Sequence, residues 1–378
     1  MQQERPGQRR LRGVLIVLVV LLILGAAIYF LTQSSSGKAG NKVTATLLPC
    51  PYSDTVSPFG KYVLYYDGLK IHCINESGAV RWSFQLGEGG GYSCSDTMIA
   101  AWSGNNLYII DQNGNATYND NLGSEVQFAR VGSRYVAAVV GDTTSPRLLV
   151  KDHTGAHMDE ESDAYSTMIL LDVGFFGSSG QYMWTLALDV FGTASNTVLN
   201  TFEVGKMSTG MVSLGEPITY QVLYDNGVLR VINTRKMRTF SERGTEDTSQ
   251  SMLVYGWRYL DHEQPTRGYA QILFAPTTQT GSMYDIRELR TISGTTDKRY
   301  TLPDSCLGAL IWNKYVYAIS SSTLYRASTS ENQFTSFTLP METAVTRYIG
   351  KLSDGSILVA CNDQVYVLGL PLATRQAK

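Results

Sequence analysis

Two patterns of apolar and polar positions divide the chain. Val14 to Leu31 (VLIVLVVLLILGAAIYFL) is apolar throughout, and as a helix would span about 27 Å, close to the hydrocarbon thickness of a bilayer. Beyond it no long stretch shows a helical period. Short β-branched and aromatic runs alternate instead with turns of Gly, Asn, Asp and Ser.

These runs repeat. Tyr62–Tyr66, the turn Asp67-Gly68 and Leu69–Ile74 predict a hairpin, and Glu76-Ser77-Gly78 turns the chain into a further strand from Val80 to Leu86. The same order recurs with Thr97–Trp102, Leu107–Asp111 and the turn Gln112-Asn113-Gly114. It recurs again with Arg134–Val140, Leu148–Asp152 and His153-Thr154-Gly155. The turn glycines at 78, 114 and 155 are 36 and 41 residues apart, which is the period of a four-stranded propeller blade. Downstream, Thr197–Val204, Leu229–Ile232, Tyr284–Arg287, Leu324–Arg326 and Val365–Leu368 look like the same third strand. Counting them predicts an all-β, eight-bladed β-propeller over residues 43–370 at about 41 residues per blade, with seven blades as the alternative. The spacing of the repeats predicts insertions near 149–200 and 229–285, and a short blade before Leu229.

Ala45-Thr46-Leu47-Leu48-Pro49 resembles the outer-strand endings Tyr300–Pro303 and Phe337–Pro340, yet no inner strands precede it. The chain meanwhile runs out at Val365–Leu368 with an outer strand missing. The N-terminal strand is therefore expected to complete the last blade and close the ring, removing long unpaired edges.

Charge orients the apolar segment. Arg5, Arg9, Arg10 and Arg12 precede it, and only Lys38 and Lys42 follow closely, so the positive-inside bias keeps the first residues in the cytoplasm. The expected layout is a cytoplasmic tail at 1–13, one transmembrane helix at 14–32, a tether at 33–42, the propeller outside the cytoplasmic membrane at 43–370, and a tail at 371–378. The apolar core exceeds that of a signal peptide, and cleavage after the Ser34–Gly40 stretch is the alternative. The chain holds 31 Lys and Arg against 33 Asp and Glu; residues 1–42 carry six of the former and one of the latter, leaving the rest near −7. That balance argues against nucleic acid as a partner. Charged residues are only 17%, while Gly (35) and Tyr (23) are plentiful, as suits a turn-rich β protein. Five cysteines, Cys50, Cys73, Cys94, Cys306 and Cys361, leave at least one unpaired, and buried free thiols are the favoured reading over disulfides.

Asn75 to Gly87 (NESGAVRWSFQLG) resembles the repeat of pyrroloquinoline-quinone-type propellers, in which a turn glycine precedes a Trp on the outer strand. Leu107–Gly114 matches the preceding half, while the second and third repeats carry Tyr118 and Asp159 near the Trp position. The whole layout resembles membrane-anchored envelope propellers of Gram-positive bacteria. The resemblance implies a fold; it brings no catalytic residues with it.

Candidate chemistry is thin. His153 and His157, with Asp152, Asp159, Glu160, Glu161 and Asp163, could ligate a divalent metal, but Gly155 spreads them over a turn, and a solvated acidic edge is the favoured reading. His72 reads as a side chain within the first hairpin, and His262 stands alone. Gly177-Ser178-Ser179-Gly180 is no nucleophile elbow, and Gly87–Gly91 lacks the Lys and helix of a phosphate loop. Asn75-Glu76-Ser77 and Asn115-Ala116-Thr117 match glycosylation acceptors. The five tryptophans, Trp82, Trp102, Trp184, Trp257 and Trp312, fit packing between blades. No catalytic residue, cofactor or metal is assigned. Two polar segments, Phe240–Gln250 and Asp261–Arg267, are expected to be exposed inserts. Phe175 and Phe176, expected in a glycine-rich loop over Asp172–Gly180, are the candidate partner contacts, with inward packing as the alternative. The expected function is a non-catalytic platform for envelope or membrane proteins; a glycan-binding or glycan-cleaving propeller is the alternative, and a quinone-cofactor enzyme a distant third.

Overall fold

The computed structural model describes residues 42–371 except 192, 207–210, 216–217, 266–267 and 278–284. The expected cytoplasmic tail and transmembrane helix lie outside the described residues, as do nearly all of the tether and of the C-terminal tail. No helix among the described residues is long and apolar enough to cross a membrane.

The described strands form eight four-stranded antiparallel sheets, so the eight-bladed reading holds. Blade 1 is Ser57–Phe59, Tyr62–Tyr66, Lys70–Ile74 and Val80–Gln85, and six more blades follow in simple up-and-down order. Blade 8 takes Arg347–Lys351, Ile357–Cys361 and Gln364–Gly369 from the end of the unit, and its outermost strand, Thr44–Pro51, from the beginning. Thr44 pairs with Gly369, Thr46 with Val367 and Leu47 with Tyr366, so the N-terminal strand closes the ring as its pattern predicts. Leu48 and Cys50 turn inward from it and pack with Val63 and Ile74 of blade 1 and Leu358 and Val365 of blade 8. The apolar core is a series of such layers between neighbouring blades.

Each first strand lies innermost and runs from an upper end to a lower end. Second-to-third and blade-to-blade connections therefore lie at the upper end. Thr44 and Gly369 meet at the lower end. Register shifts interrupt the pairing of the innermost strands of blades 3, 4, 5, 6 and 8, at Val126/Phe128, Leu170/Asp172, Thr219/Gln221, Tyr259/Asp261 and Tyr348/Gly350. Such bulges bend the strand and re-aim the residues beside them.

The outer strands also join blades. Trp82 of blade 1 donates its Nε1 hydrogen to the Gln112 carbonyl at 2.9 Å, and its indole lies on Gly114 of the next blade. A Cβ there would come within 2.6 Å of the ring, and Gly114 has φ +83°, so only glycine serves. Tyr118 of blade 2 covers Gly155 of blade 3 in the same way. Asp159 of blade 3 instead accepts the N–H of Gly205 in blade 4. The residues that depart from Trp thus keep its place and change its chemistry.

Three expectations are corrected. Leu229–Ile232 belongs to the second strand of blade 5, Val228–Asn233, and the third strand is Lys236–Ser241. The Asn226-Gly227 turn, with φ of 46° and 92°, joins the first two strands, and placing the third strand correctly removes the short blade. Phe240, expected at the start of an exposed insert, is fully buried on that third strand. Asp261, His262 and Glu263, expected in a second insert, end the innermost strand of blade 6, Trp257–Glu263. All five cysteines are free, four of them buried, and burial pushes the Cys50 thiol up to about 11 and Cys73 up to about 12.

A chain shortened to begin after Pro51 leaves the third strand of blade 8 as an open edge and exposes the layer around Val63 and Leu358. It is expected to lose the single cooperative unfolding transition and to elute as oligomers from a sizing column. A monodisperse product with unchanged melting would refute closure as the source of stability.

Candidate functional site

The bulged innermost strands carry the densest polar chemistry. Lys351, at the end of the innermost strand of blade 8, reaches past blade 7 to Asp261 of blade 6, with Nζ 2.7 Å from Oδ2. It also donates to the Ile311 carbonyl at 2.9 Å, and Asp261 accepts the Ile311 N–H at 3.0 Å. Glu263 accepts the N–H of Asn313 at 2.6 Å. Tyr259 Oη lies 2.8 Å from His262 Nδ1, and Tyr220 Oη accepts the Tyr259 N–H at 3.2 Å. Burial pushes the Tyr259 and Tyr348 phenols well above their ordinary range. It also lowers His262 below its ordinary 6.5, with Lys351 adding to the effect and Asp261 and Asp225 opposing it. The group is a neutral ring and two protonated phenols around an ion pair, spanning three blades.

Two further ion pairs serve the contacts between blades, one directly and one through its carboxylate. Arg130 Nε meets Asp172 Oδ1 at 2.9 Å between blades 3 and 4, with both side chains about 40% exposed. Arg230 and Asp225 lie 3.0 Å apart in blade 5 with side chains 2% and 1% exposed. Thr239 takes a second hydrogen from Arg230 at 2.6 Å, and the other Asp225 oxygen accepts the Ala270 N–H of blade 6 at 2.7 Å. Each carboxylate meets a cation, and Arg130–Asp172 and Lys351–Asp261 hold neighbouring blades together, while the Nη2 of the buried Arg230 has no hydrogen-bond partner among the described residues.

The expected contacts Phe175 and Phe176 lie on a strand, Met168–Phe176, rather than in a loop. Phe176 is 3% exposed and stacks on Tyr182 with ring centroids 5.4 Å apart. Phe175 packs against the layer containing Tyr135 and Val173, over Gly132. The placement corrects the loop expectation: the flanking glycines read as flexible, but Gly174 is paired within the sheet and faces Trp184. In the 152–163 segment, Asp152 accepts N–H bonds from Thr154 and Ala156 and closes a turn. His153 Nε2 lies 3.1 Å from the Gly132 carbonyl. Among the described residues no group of three or more His, Cys, Asp or Glu is gathered to hold a metal ion. His72 sits between Asp67 and Ser83, each at 2.8 Å, and its Asp67 hydrogen bond lowers that carboxyl to about 2.

The surface chemistry that sequence reasoning missed is at the upper end of blades 4 to 6. Val190 and Phe191, in the second-to-third connection of blade 4, are exposed, as are Ile218 and Tyr220 at the start of blade 5. Leu253 and Tyr255, between blades 5 and 6, are 65% and 74% exposed. A cleft of about 590 Å³ opens beside them, lined by Tyr220, Thr234, Tyr255, Gly256, Trp257, Arg258 and Thr277. On the flank of blade 5 a second cleft of about 500 Å³ is lined by Arg235, Lys236, Arg238 and Glu246, and Arg238 and Glu246 are bidentately paired at 2.8 and 2.6 Å. The residues are scattered singly along the chain, so no local pattern marks them; only blade counting brings them to one end.

No family model matches the chain, and no curated protein matches it. Solved structures do. BamB from Moraxella catarrhalis aligns with a TM-score of 0.52 over 87% of this chain and 99% of its own, at 10% identity. Sqt1 from Saccharomyces cerevisiae aligns with a TM-score of 0.56 over 86% and 99%, at 9% identity. At such identities the likeness is one of fold, and it places the chain among the β-propellers.

Two substitutions test the interior. Asp225→Ala strands the buried Arg230 guanidinium and is expected to cost about 3 kcal/mol or more by denaturant unfolding. His262 titrates higher in the unfolded chain than in the fold, so its contribution is complete above about pH 6.5 and is lost as pH falls through the folded value. Melting temperature should drop on acidification below pH 6.5, and the His262→Gln variant should show a shallower drop over the same window.

Proposed function

We propose that the chain is a non-catalytic protein-interaction propeller, tethered by residues 14–32 to the outer side of the cytoplasmic membrane. The carrying observation is the upper end of blades 4 to 6, where Tyr220, Tyr255 and Trp257 line a cleft and Val190, Phe191, Ile218 and Leu253 are exposed at the same end. A soluble surface rarely keeps so many large apolar groups together unless something covers them. Tyr, Trp and Arg around a concave site are also the residue types that dominate binding energy at protein interfaces. The ring supports this reading because its innermost charges are engaged between blades, which makes a stiff platform. Tethering rests on the apolar length of Val14–Leu31 and the arginines before it.

Glycan binding remains the second reading, because Tyr220, Tyr255 and Trp257 could stack on a sugar ring. Glycan cleavage has less support: it needs two carboxylates facing one bond, and Asp172 and Asp261 are each bonded to a cation.

The test is made on the full chain in its own membrane. A photo-crosslinking residue at position 255 should trap other proteins in discrete bands, whereas one at position 80, on the outer strand of blade 1, should not. A thiol-reactive reagent that does not cross membranes should reach a cysteine placed at position 68 in intact cells. Recovery of uncrosslinked chain alone from both positions would remove the interaction reading, and labelling only after lysis would remove the topology.

A further inference from the structure

This inference rests on the interaction reading and names the chemistry of the partner. The two ends of the propeller differ. Thr44 and Gly369 are paired at the lower end, so the chain joins the propeller there. Val190, Phe191, Ile218, Tyr220, Leu253 and Tyr255 all belong to upper-end connections or the strand residues next to them. The second-to-third turn of blade 5, also at the upper end, carries exposed Arg235 and Lys236, and Arg258 lines the cleft itself. The apolar cleft therefore has Arg258 in its lining and Arg235 and Lys236 in the neighbouring cleft, where Glu246 is paired with Arg238, within a propeller whose overall balance is acidic.

We propose that the upper end of blades 4 to 6 docks an extended segment of another protein whose apolar side chains are flanked by carboxylates. One large apolar side chain enters the cleft between Tyr220, Tyr255 and Trp257, and the flanking carboxylates face Arg235 and Lys236. Burial of aromatic surface supplies affinity and the complementary charges set direction and speed of encounter.

Charge disfavours a second copy as the occupant: two propellers meeting upper end to upper end would bring Arg235, Lys236 and Arg258 of each toward the same cations of the other.

The experiment uses the full chain in detergent micelles and three fluorescein-labelled heptapeptides: a Trp-Leu-Phe core flanked by two Asp on each side, the same core flanked by Lys, and an Asp-flanked Ser-Gly-Ser core. Fluorescence polarisation should show saturable binding of the first alone, weakening as salt is raised. Tyr255→Ser and the pair Arg235→Glu with Lys236→Glu should each weaken it roughly tenfold or more, while Val80→Ser leaves it unchanged. Absent binding, equal binding of the Lys-flanked peptide, or indifference to these variants would overturn the proposal. So would flotation of the propeller lacking residues 1–42 with phosphatidylglycerol vesicles if Tyr255→Ser abolished it, which would give the surface to lipid. A Tyr255-dependent dimer in sedimentation would give it to a second copy. If the peptides fail while position 255 still crosslinks other proteins in the membrane, only the partner chemistry is wrong.

Discussion

Pairing between Thr44–Pro51 and Gln364–Gly369 is the constraint on which the rest of the structure depends. Every other blade is built from consecutive strands and could form by local zipping. The last blade needs residues more than 300 positions apart to meet, so closure sets the entropic cost of the fold. What offsets that cost is also concentrated there: a ladder of backbone hydrogen bonds, and burial of Leu48 and Cys50 in the layer between blades 8 and 1. Because the layers are shared between neighbours, an open ring exposes two blade faces at once. Closure is therefore a cooperative event rather than a terminal embellishment.

Within the closed ring, neighbouring blades are held by interactions that vary in kind while keeping their place. At the outer strand the contact with the next blade's turn is an indole in Trp82, a phenol ring in Tyr118 and a carboxylate in Asp159. Later, Lys298 and Tyr300 of blade 6 both reach the Thr329 carbonyl of blade 7, at 2.8 and 3.1 Å. Apolar contact and hydrogen bonding are exchangeable here because the geometric requirement is only to cover a turn and satisfy its backbone groups. At the innermost strands the same task falls to ion pairs, Arg130 with Asp172 and Lys351 with Asp261. Their partial exposure makes each a modest contributor, and their value lies in fixing blade against blade.

That exchangeability explains what was legible in the chain and what was not. Blade number, the closing strand and the first three turns could be read because Gly78, Gly114 and Gly155 recur with a regular period beside strong β-formers. The reading slips in blade 5, where Leu229–Ile232 has the pattern of a third strand but follows the first-to-second turn Asn226-Gly227, so the third strand is Lys236–Ser241. It slips again at Asp261-His262-Glu263, a polar triplet that is satisfied in an innermost strand by Tyr259 on the same strand and by Lys351 and Asn313 from blades 8 and 7. Phe175 and Phe176 looked like loop aromatics because Gly174 and Gly177 flank them, but Gly174 is small so that Trp184 can pack against it. The deciding partners sit on a neighbouring strand or blade, from eight residues away for Arg238 and Glu246 to 90 for Asp261 and Lys351. Local pattern cannot contain that information.

The same logic separates the two regions where function could reside. Along the innermost strands, each carboxylate of the described ion pairs is matched by a cation, and the titratable groups around Tyr259 are shifted toward their neutral forms by burial. Lys351–Asp261 and Arg130–Asp172 thus act between blades. At the upper end of blades 4 to 6 the picture differs: the side chains of Phe191, Leu253 and Tyr255 are 65%, 65% and 74% exposed. Large apolar side chains left in water are the feature on which the proposed interaction rests. A rigid ring makes that surface effective, because strands on either side of the cleft are held in register by closure on the far side of the molecule, and little ordering is left to be done on binding.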